Sequence, residues 1–167
     1  HTHHTYQEFT ELLKNDLIDA EGLLKQVDPI IPAEKGGEEL NLSVSAENFL
    51  LARQVRFNYY AVKAMEARFF LWMGGETNKS AAYDCATELI EAEDSDGKLL
   101  FTLGSTDNLS KSDYSFSTEH ILAIYEYNLK DRAESAFTTN SSYSKAQNVL
   151  SPNLYPAGTT DIRYLGL

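Results

Sequence analysis

The sequence predicts a mainly α-helical protein with a little β-structure and long loops, and three stretches carry that expectation. From Thr5 to Val27, apolar residues recur on one helical face. From Val55 to Met73, VRFNYYAVKAMEARFFLWM, they cover most of the helix circumference, and from Ala81 to Ile90 they form a third, narrower stripe of mostly small side chains. A helix that is apolar nearly all round, flanked by one-sided helices, is the pattern of a central helix with neighbours on two sides.

Bulk properties restrict the function classes. The 167 residues fit one domain of ordinary size, and 43% hydrophobic content is enough for a core. Twenty-five acids against fourteen bases leave a net charge of −11 with no basic cluster, so a nucleic-acid backbone would be repelled. There is no apolar run of the roughly 18 residues needed to span a bilayer, and no stretch resembles a signal peptide. The single cysteine, Cys85, has no internal disulfide partner. Ten tyrosines suit both sugar and protein surfaces, because each ring offers an apolar face and a polar edge.

In chain order, His1, His3 and His4 lie at the N-terminus with no fixed fourth ligand and read as a loop. Thr5 and Glu8 have capping-box spacing, which starts the first helix. Phe9, Leu12, Leu13, Leu17, Ala20, Leu23, Leu24 and Val27 share its apolar face until Asp28-Pro29 breaks the run. Residues 28–45 hold two prolines and Gly36-Gly37 without a clear period, and read as either a functional loop or a crossover between antiparallel helices. A helix is expected to resume near Ala46 and lead into the central one.

On the wheel of Val55–Met73, Arg56, Lys63 and Glu66 fall in one sector with Tyr59 and Phe70, the expected solvent side. Arg68 and Asn58 are polar residues inside the apolar arc. Gly74-Gly75 ends the helix. The Ala81–Ile90 stripe then pairs with it as an antiparallel hairpin over Ser80–Ala92, with Cys85 as a packed core residue. Asp94-Ser95-Asp96-Gly97 does not fit a calcium loop, since that frame places Ala92 and Leu103 where carboxylates are required, and reads as a solvated turn. Lys98–Leu103 and His120–Asn128 are expected strands, separated by a polar loop, Gly104–Ser115. The expected organisation is one domain, or a fragment of a larger protein, over residues 1–167. It has a helical core at 6–92, a loop with short strands at 93–129, and a loop-rich tail at 130–167.

No phosphate loop, cysteine cluster, zinc-protease pair or nucleophile motif is present, and no cofactor is expected. His120 follows Glu119, but adjacency does not set a base beside a nucleophile. Carboxylates on the helix faces are numerous enough to hide a glycosidase pair, although nothing singles out two.

Several stretches together resemble the SusD/RagB family of outer-membrane nutrient-binding lipoproteins of Bacteroidetes. They are Asp16-Leu17 with Ala20 and Leu23-Leu24, Arg56-Phe57-Asn58-Tyr59-Tyr60-Ala61 leading to Ala67-Arg68-Phe69 and Leu71, then Gly74, Ala82 to Ile90, Phe101-Thr102-Leu103, and Phe116-Ser117-Thr118-Glu119-His120-Ile121. Their order and spacing run from about Tyr6 to Asn128. The resemblance implies tetratricopeptide-like helical hairpins, no catalysis, and a surface-exposed outer-membrane protein that binds oligo- or polysaccharide and delivers it to a TonB-dependent, SusC-like transporter. Family members are several times longer, begin with a lipid-modified cysteine and carry much of their glycan site on loops outside the helical repeats. Neither feature is recognisable here, so the chain is expected to be a trimmed central piece. Membrane association would come only through a lipid anchor that this sequence does not carry, and no ligand-binding residue is transferred by position. The rival readings are a tetratricopeptide-type adaptor for a peptide or protein and a glycoside hydrolase.

Two further expectations concern single residues. Tyr59 and Phe70, aromatic on the polar sector, are either partner-contact anchors or covered by the 28–45 loop. Asp16 and Arg68, each a charged misfit in the apolar arc of its own helix, are expected to form a buried structural pair; the alternative is separate bonds to backbone groups.

Overall fold

The computed structural model describes residues 3–32, 35, 53–124 and 126–137. The helix expected near Ala46, most of the 28–45 connection and the tail beyond residue 137 lie outside the described residues. The described chain is mainly helical and divides into two units, His1–Thr102 with Thr118–Ile124, and Leu103–Ser117 with Tyr125–Leu167.

In the first unit, α1 spans Tyr6–Val27. The expected capping box is formed: Glu8 N donates to Thr5 Oγ1 at 3.2 Å, and Thr5 N donates to Glu8 Oε2 at 2.8 Å. Those bonds hold the Glu8 carboxyl below its ordinary pKa, the Thr5 backbone bond contributing most. Asp28 ends the helix in an extended conformation, as the Asp-Pro step requires.

The central helix, α2, spans Tyr59–Met73 and starts four residues later than its hydrophobic pattern indicates. Asn58 is the reason. It is fully buried, its backbone is extended, and its side chain accepts the Ala61 amide at 2.8 Å while donating to Arg53 O at 3.1 Å and Ile121 O at 2.9 Å. Residues Arg53–Val55 form a 3-10 turn instead of a helical lead-in. The polar misfit at 58 is thus an N-cap that also ties two other segments to the helix. Asn58→Ala is expected to cost about 2–3 kcal/mol, since it removes the cap and the donor to Ile121 O, while Arg53 O keeps the Arg56 amide. A thermal midpoint unchanged from the parent would contradict this role.

Gly74 and Gly75 end α2 as expected, with φ of 67° and 79°. Gly74 combines its positive φ with a ψ of −174°, a region that only glycine occupies without strain. The chain turns directly into α3, Glu76–Ile90, so α2 and α3 form a helical hairpin. Ala82, Cys85 and Leu89 are the buried residues of α3, and α1 packs on α2 from another side.

Two apolar clusters meet on α2. Leu17, Val62 and Phe69 are buried together, flanked by Leu13, Ala20, Leu24, Phe70 and Met73. Ile31, Tyr59, Tyr60, Leu89 and Ala92 form the other, flanked by Leu24, Ile30, Ala64, Leu100, Phe101 and Ile121.

The expected strands do not form. Among the described residues the only bridge is an isolated antiparallel one between Glu93 and Leu99, closed by an Asp94 turn in which Oδ1 accepts from Asp96 N at 2.9 Å and Lys98 N at 3.0 Å. The 118–124 stretch spends its backbone on three separate anchors: Thr118 O accepts from Thr102 N at 2.9 Å, Ile121 O from Asn58, and Ala123 N donates to Gln54 O at 2.8 Å. A ladder needs consecutive bonds to one neighbour. Ile and Tyr content alone does not supply that neighbour.

The second unit corrects two expected loops. Thr106–Ser110 is a short helix, α4, whose cap joins Ser105 and Asn108 reciprocally. Asp113 then accepts from Asn108 Nδ2 at 2.9 Å, Ser117 N at 2.9 Å and Ser117 Oγ at 2.8 Å, which holds its carboxyl far below the ordinary range. Leu129–Phe137 is α5, so the loop-rich tail opens with a helix. Its sequence, LKDRAESAF, is rich in strong helix formers, and the Ser, Thr and Asn content of the longer tail conceals it.

Candidate functional site

The side of α2 expected to face water faces inward. Tyr59 is 2% exposed, Glu66 3% and Lys63 6%, while Met65, Leu71 and Trp72 are exposed. The cause is charge compensation between helices. Lys63 Nζ lies 3.0 Å from Glu66 Oε2 on its own helix, 3.0 Å from Glu21 Oε1 on α1 and 3.4 Å from Glu88 Oε2 on α3. The Tyr59 hydroxyl donates to Glu88 Oε1 and reaches Glu21 Oε1 at 3.5 Å. The Cys85 thiol donates to Glu66 Oε2 at 3.6 Å. An amphipathic wheel assigns charge to solvent, but here three helices bring complementary charges to one point, and the ion pairs and hydrogen bonds offset desolvation.

This cluster is chemically quiet. Burial alone would lower the Lys63 ammonium, but its bonds to Glu66 and Glu21 and the charges of Glu66 and Glu88 outweigh it and keep Lys63 protonated far above neutrality. Burial and then the Glu88 bond push Tyr59 up, so it is no general base. Burial likewise raises the Cys85 thiol away from the reactive thiolate. Glu66 is raised too, because burial penalises its charge by more than the Lys63 ammonium favours it, and the Glu21 charge adds to the rise.

The Glu66 shift gives a pH signature. Between its raised pKa and the ordinary value of 4.5, the folded chain keeps a proton on Glu66 that the unfolded chain releases, so stability increases as pH falls through that window. Wild type is therefore expected to gain stability relative to Glu66→Gln between pH 7 and pH 5 in denaturant titrations. Parallel pH profiles for the two proteins would exclude Glu66 as the titrating group.

A second buried ion pair ties the end of α1 to the start of α2. Asp28 is 1% exposed. It accepts from Arg53 Nε and Nη2, each at 2.8 Å, from Tyr59 N at 2.8 Å and from Ile30 N at 3.2 Å. Arg53 Nη2 also donates to Phe57 O at 2.8 Å. The fork-to-carboxylate geometry is bidentate. A signal for it existed in the sequence: an acid at a helix C-terminus opposes the helix dipole and so calls for a cation.

The expected single-residue sites fare differently. Asp16 and Arg68 are both exposed and no ion pair joins them, so the buried structural pair is not formed. The inward face of α1 is the line of Leu13, Leu17, Ala20 and Leu24, at one margin of its apolar arc. Asp16 lies in the uncovered remainder with Phe9, Leu12, Leu23 and Val27. Tyr59 is no partner anchor either: it is buried in a cluster with Ile31, Tyr60, Leu89 and Ala92. Phe70 is half-buried beside Phe69, their rings edge-on at 5.5 Å.

Cavities of the first unit are lined by described residues at two places. An apolar groove of about 330 Å³ runs between α1 and α2, lined by Leu13, Leu17, Met65, Arg68, Phe69 and Trp72. At its end the Tyr6 ring tilts against Trp72 at 5.5 Å. A smaller, polar cavity of about 140 Å³ is lined by Lys25, Ile31, Lys35, Tyr59, Tyr60 and the end of α3. Among the described residues no three His, Cys, Asp or Glu side chains are placed to hold a metal ion, and no described helix is long and apolar enough to cross a membrane.

Comparison with protein-family models, curated proteins and solved structures finds no match to this chain.

Proposed function

We propose that this chain is the helical scaffold of a non-catalytic, SusD-like surface protein, which binds glycans or related nutrients and hands them to a TonB-dependent, SusC-like transporter at the outer membrane. The observation that carries the reading is the α1–α2 groove. Its aromatic rim is open, with Trp72 55% and Tyr6 60% exposed, and contiguous apolar surface of this kind marks a docking face. The charged clusters support the non-catalytic part, since their groups are engaged with one another and their protonation states suit neither nucleophile nor base. The sequence stretches described above supply the family, and the mainly helical architecture agrees with it.

The test is association. The chain is co-expressed with a TonB-dependent, SusC-like transporter, and Trp72→Ala together with Met65→Ser is expected to weaken co-purification at least about tenfold, the loss of one hot-spot anchor. The same variants should keep the parent's melting temperature, because both side chains are exposed. Binding to immobilised polysaccharides, without release of chromophore from aryl glycosides, is the companion result. Turnover abolished by a single carboxylate substitution would replace this reading with a glycoside hydrolase. The α2–α3 hairpin also suits a tetratricopeptide-type adaptor, which capture of a peptide in the groove, with no transporter or glycan binding, would favour.

A further inference from the structure

The open side of α2 is patterned as a helix contact. Met65, Arg68, Phe69 and Trp72 line the α1–α2 groove at positions i, i+3, i+4 and i+7, the spacing with which one helix meets another. Among the described residues α1 and α3 take two sides of α2, and this third stripe is left with Met65 45% and Trp72 55% exposed. A helix that is apolar nearly all round is normally buried, and a contiguous apolar stripe left open marks a contact.

Size and spacing point to side chains delivered by a helix. The groove measures about 330 Å³, room for about two large apolar side chains, since one six-membered ring takes roughly 150 Å³. Its α1 wall, Leu13 and Leu17, has i, i+4 spacing, so side chains one turn apart on an incoming helix interdigitate with it. A free small molecule of that volume would keep one face in water between the open rims, whereas a helix lying along the groove closes it with its own bulk.

Charge narrows the occupant further. Among the described residues Arg68 is the only charged group in the lining, and it is exposed, with no hydrogen bond or ion pair. An apolar segment that covers the stripe takes this guanidinium out of water, at a large cost unless an opposing carboxylate meets it. The arginine fork donates two parallel bonds to such a group. The chain as a whole carries a net charge of −11, so a partner acidic along its length would be repelled, and the complementarity is confined to one acid at Arg68.

We infer that the α1–α2 groove receives an amphipathic helix of the partner, which inserts apolar side chains one turn apart between the Leu13–Leu17 and Met65–Trp72 walls and sets a single carboxylate on Arg68. The inference rests on the docking reading above and names the element and the charge that the partner brings.

Trp72 is the only tryptophan in the chain, so its fluorescence reports the groove directly. The probes are alanine-based amphipathic peptides of about 16 residues, long enough to hold a helix. Each carries leucines at i, i+3, i+4 and i+7 and one glutamate, moved along that stripe from peptide to peptide, with glutamine and lysine counterparts. The expected result with the full chain is a saturable blue shift of Trp72 emission by at least one glutamate peptide, at a Kd of about 10–100 μM. Its glutamine counterpart should bind about tenfold more weakly, the worth of one charged hydrogen bond, and its lysine counterpart more weakly still. Arg68→Glu, at an exposed position, should keep the parent's melting temperature and reverse the order, lysine peptides then binding best. Arg68→Gln, which should level the three peptides, serves if Arg68→Glu does not fold.

Four outcomes overturn the proposal: equal binding of glutamate and glutamine peptides, an order that the Arg68 variants leave unchanged, no saturation by any peptide up to about 1 mM, or Trp72 emission already that of a buried ring in the chain alone and unmoved by every peptide. Where one of these occurs but transporter still co-purifies, and is lost with Trp72→Ala and Met65→Ser, the docking reading stands with a different partner element. Failure of the parent chain to retain transporter defeats that reading itself. Glutamate peptides that still bind in the expected order then uphold the helix site and assign it to the adaptor.

Discussion

Asp28→Ala is expected to remove about 3–5 kcal/mol of stability, the cost of leaving a buried charge without its partner. The substitution strips four hydrogen bonds at once: two from Arg53, one from the Tyr59 amide at the first turn of α2 and one from Ile30. It takes from the Arg53 guanidinium, 7% exposed, the carboxylate onto which it forks. A domain of ordinary stability has about 5–15 kcal/mol in total, so the variant should melt roughly 10 °C lower or fail to accumulate. Asp28→Leu combined with Arg53→Met should recover most of the loss, because a packed apolar pair avoids the desolvation that the ions incur. Urea titrations of the two variants separate these outcomes. An Asp28→Ala midpoint within about 2 °C of the parent would show that the clamp carries no net stability.

The second large effect is expected at Lys63. Lys63→Met removes the only cation among the described residues at a point where Glu21, Glu66 and Glu88 converge, leaving Glu66 buried without that partner. The expected loss is again about 3–5 kcal/mol at neutral pH, most of it from Glu66, since Glu21 and Glu88 are more exposed and water screens them. The loss should shrink as pH falls, because Glu66 then takes up a proton and the repulsion ends. Lys63→Met with Glu66→Leu should restore stability and flatten that pH dependence. Equal losses at pH 5 and pH 8 in the single variant would place the cost in packing instead of charge.

Both effects follow a rule that the sequence did suggest, applied to residues it did not identify. Oppositely charged misfits on packed helices find each other, as Asp28 with Arg53 and Lys63 with its three glutamates demonstrate. Asp16 and Arg68 were the misfits visible on helical wheels, and both are exposed. A wheel gives the width of an apolar arc but not the line along which a neighbour touches it. On α1 that line runs through Leu13, Leu17, Ala20 and Leu24, which leaves Asp16 out. Arg53 was hidden differently: it lies before the helix, in a turn whose existence depends on the Asn58 cap.

Local chemistry set three of the helix ends, while the start of α2 depended on Asn58 and its bond to Ile121 O. The Thr5–Glu8 box, the Asp28-Pro29 stop and the Gly74-Gly75 break act within a few residues, through bonds or dihedral freedom that the same short stretch contains. Those features were legible because nothing distant can replace them. The direction in which each helix faces was decided elsewhere. Turning Lys63 and Glu66 inward is unfavourable for α2 by itself and becomes favourable only when α1 presents Glu21 and α3 presents Glu88 at the same point. Likewise the 118–124 stretch has strand composition but no neighbouring strand among the described residues, and its backbone bonds go singly to Thr102, Asn58 and Gln54. Desolvation of a charge and completion of a ladder are sums over segments far apart in the chain, and tertiary packing is what brings those segments together.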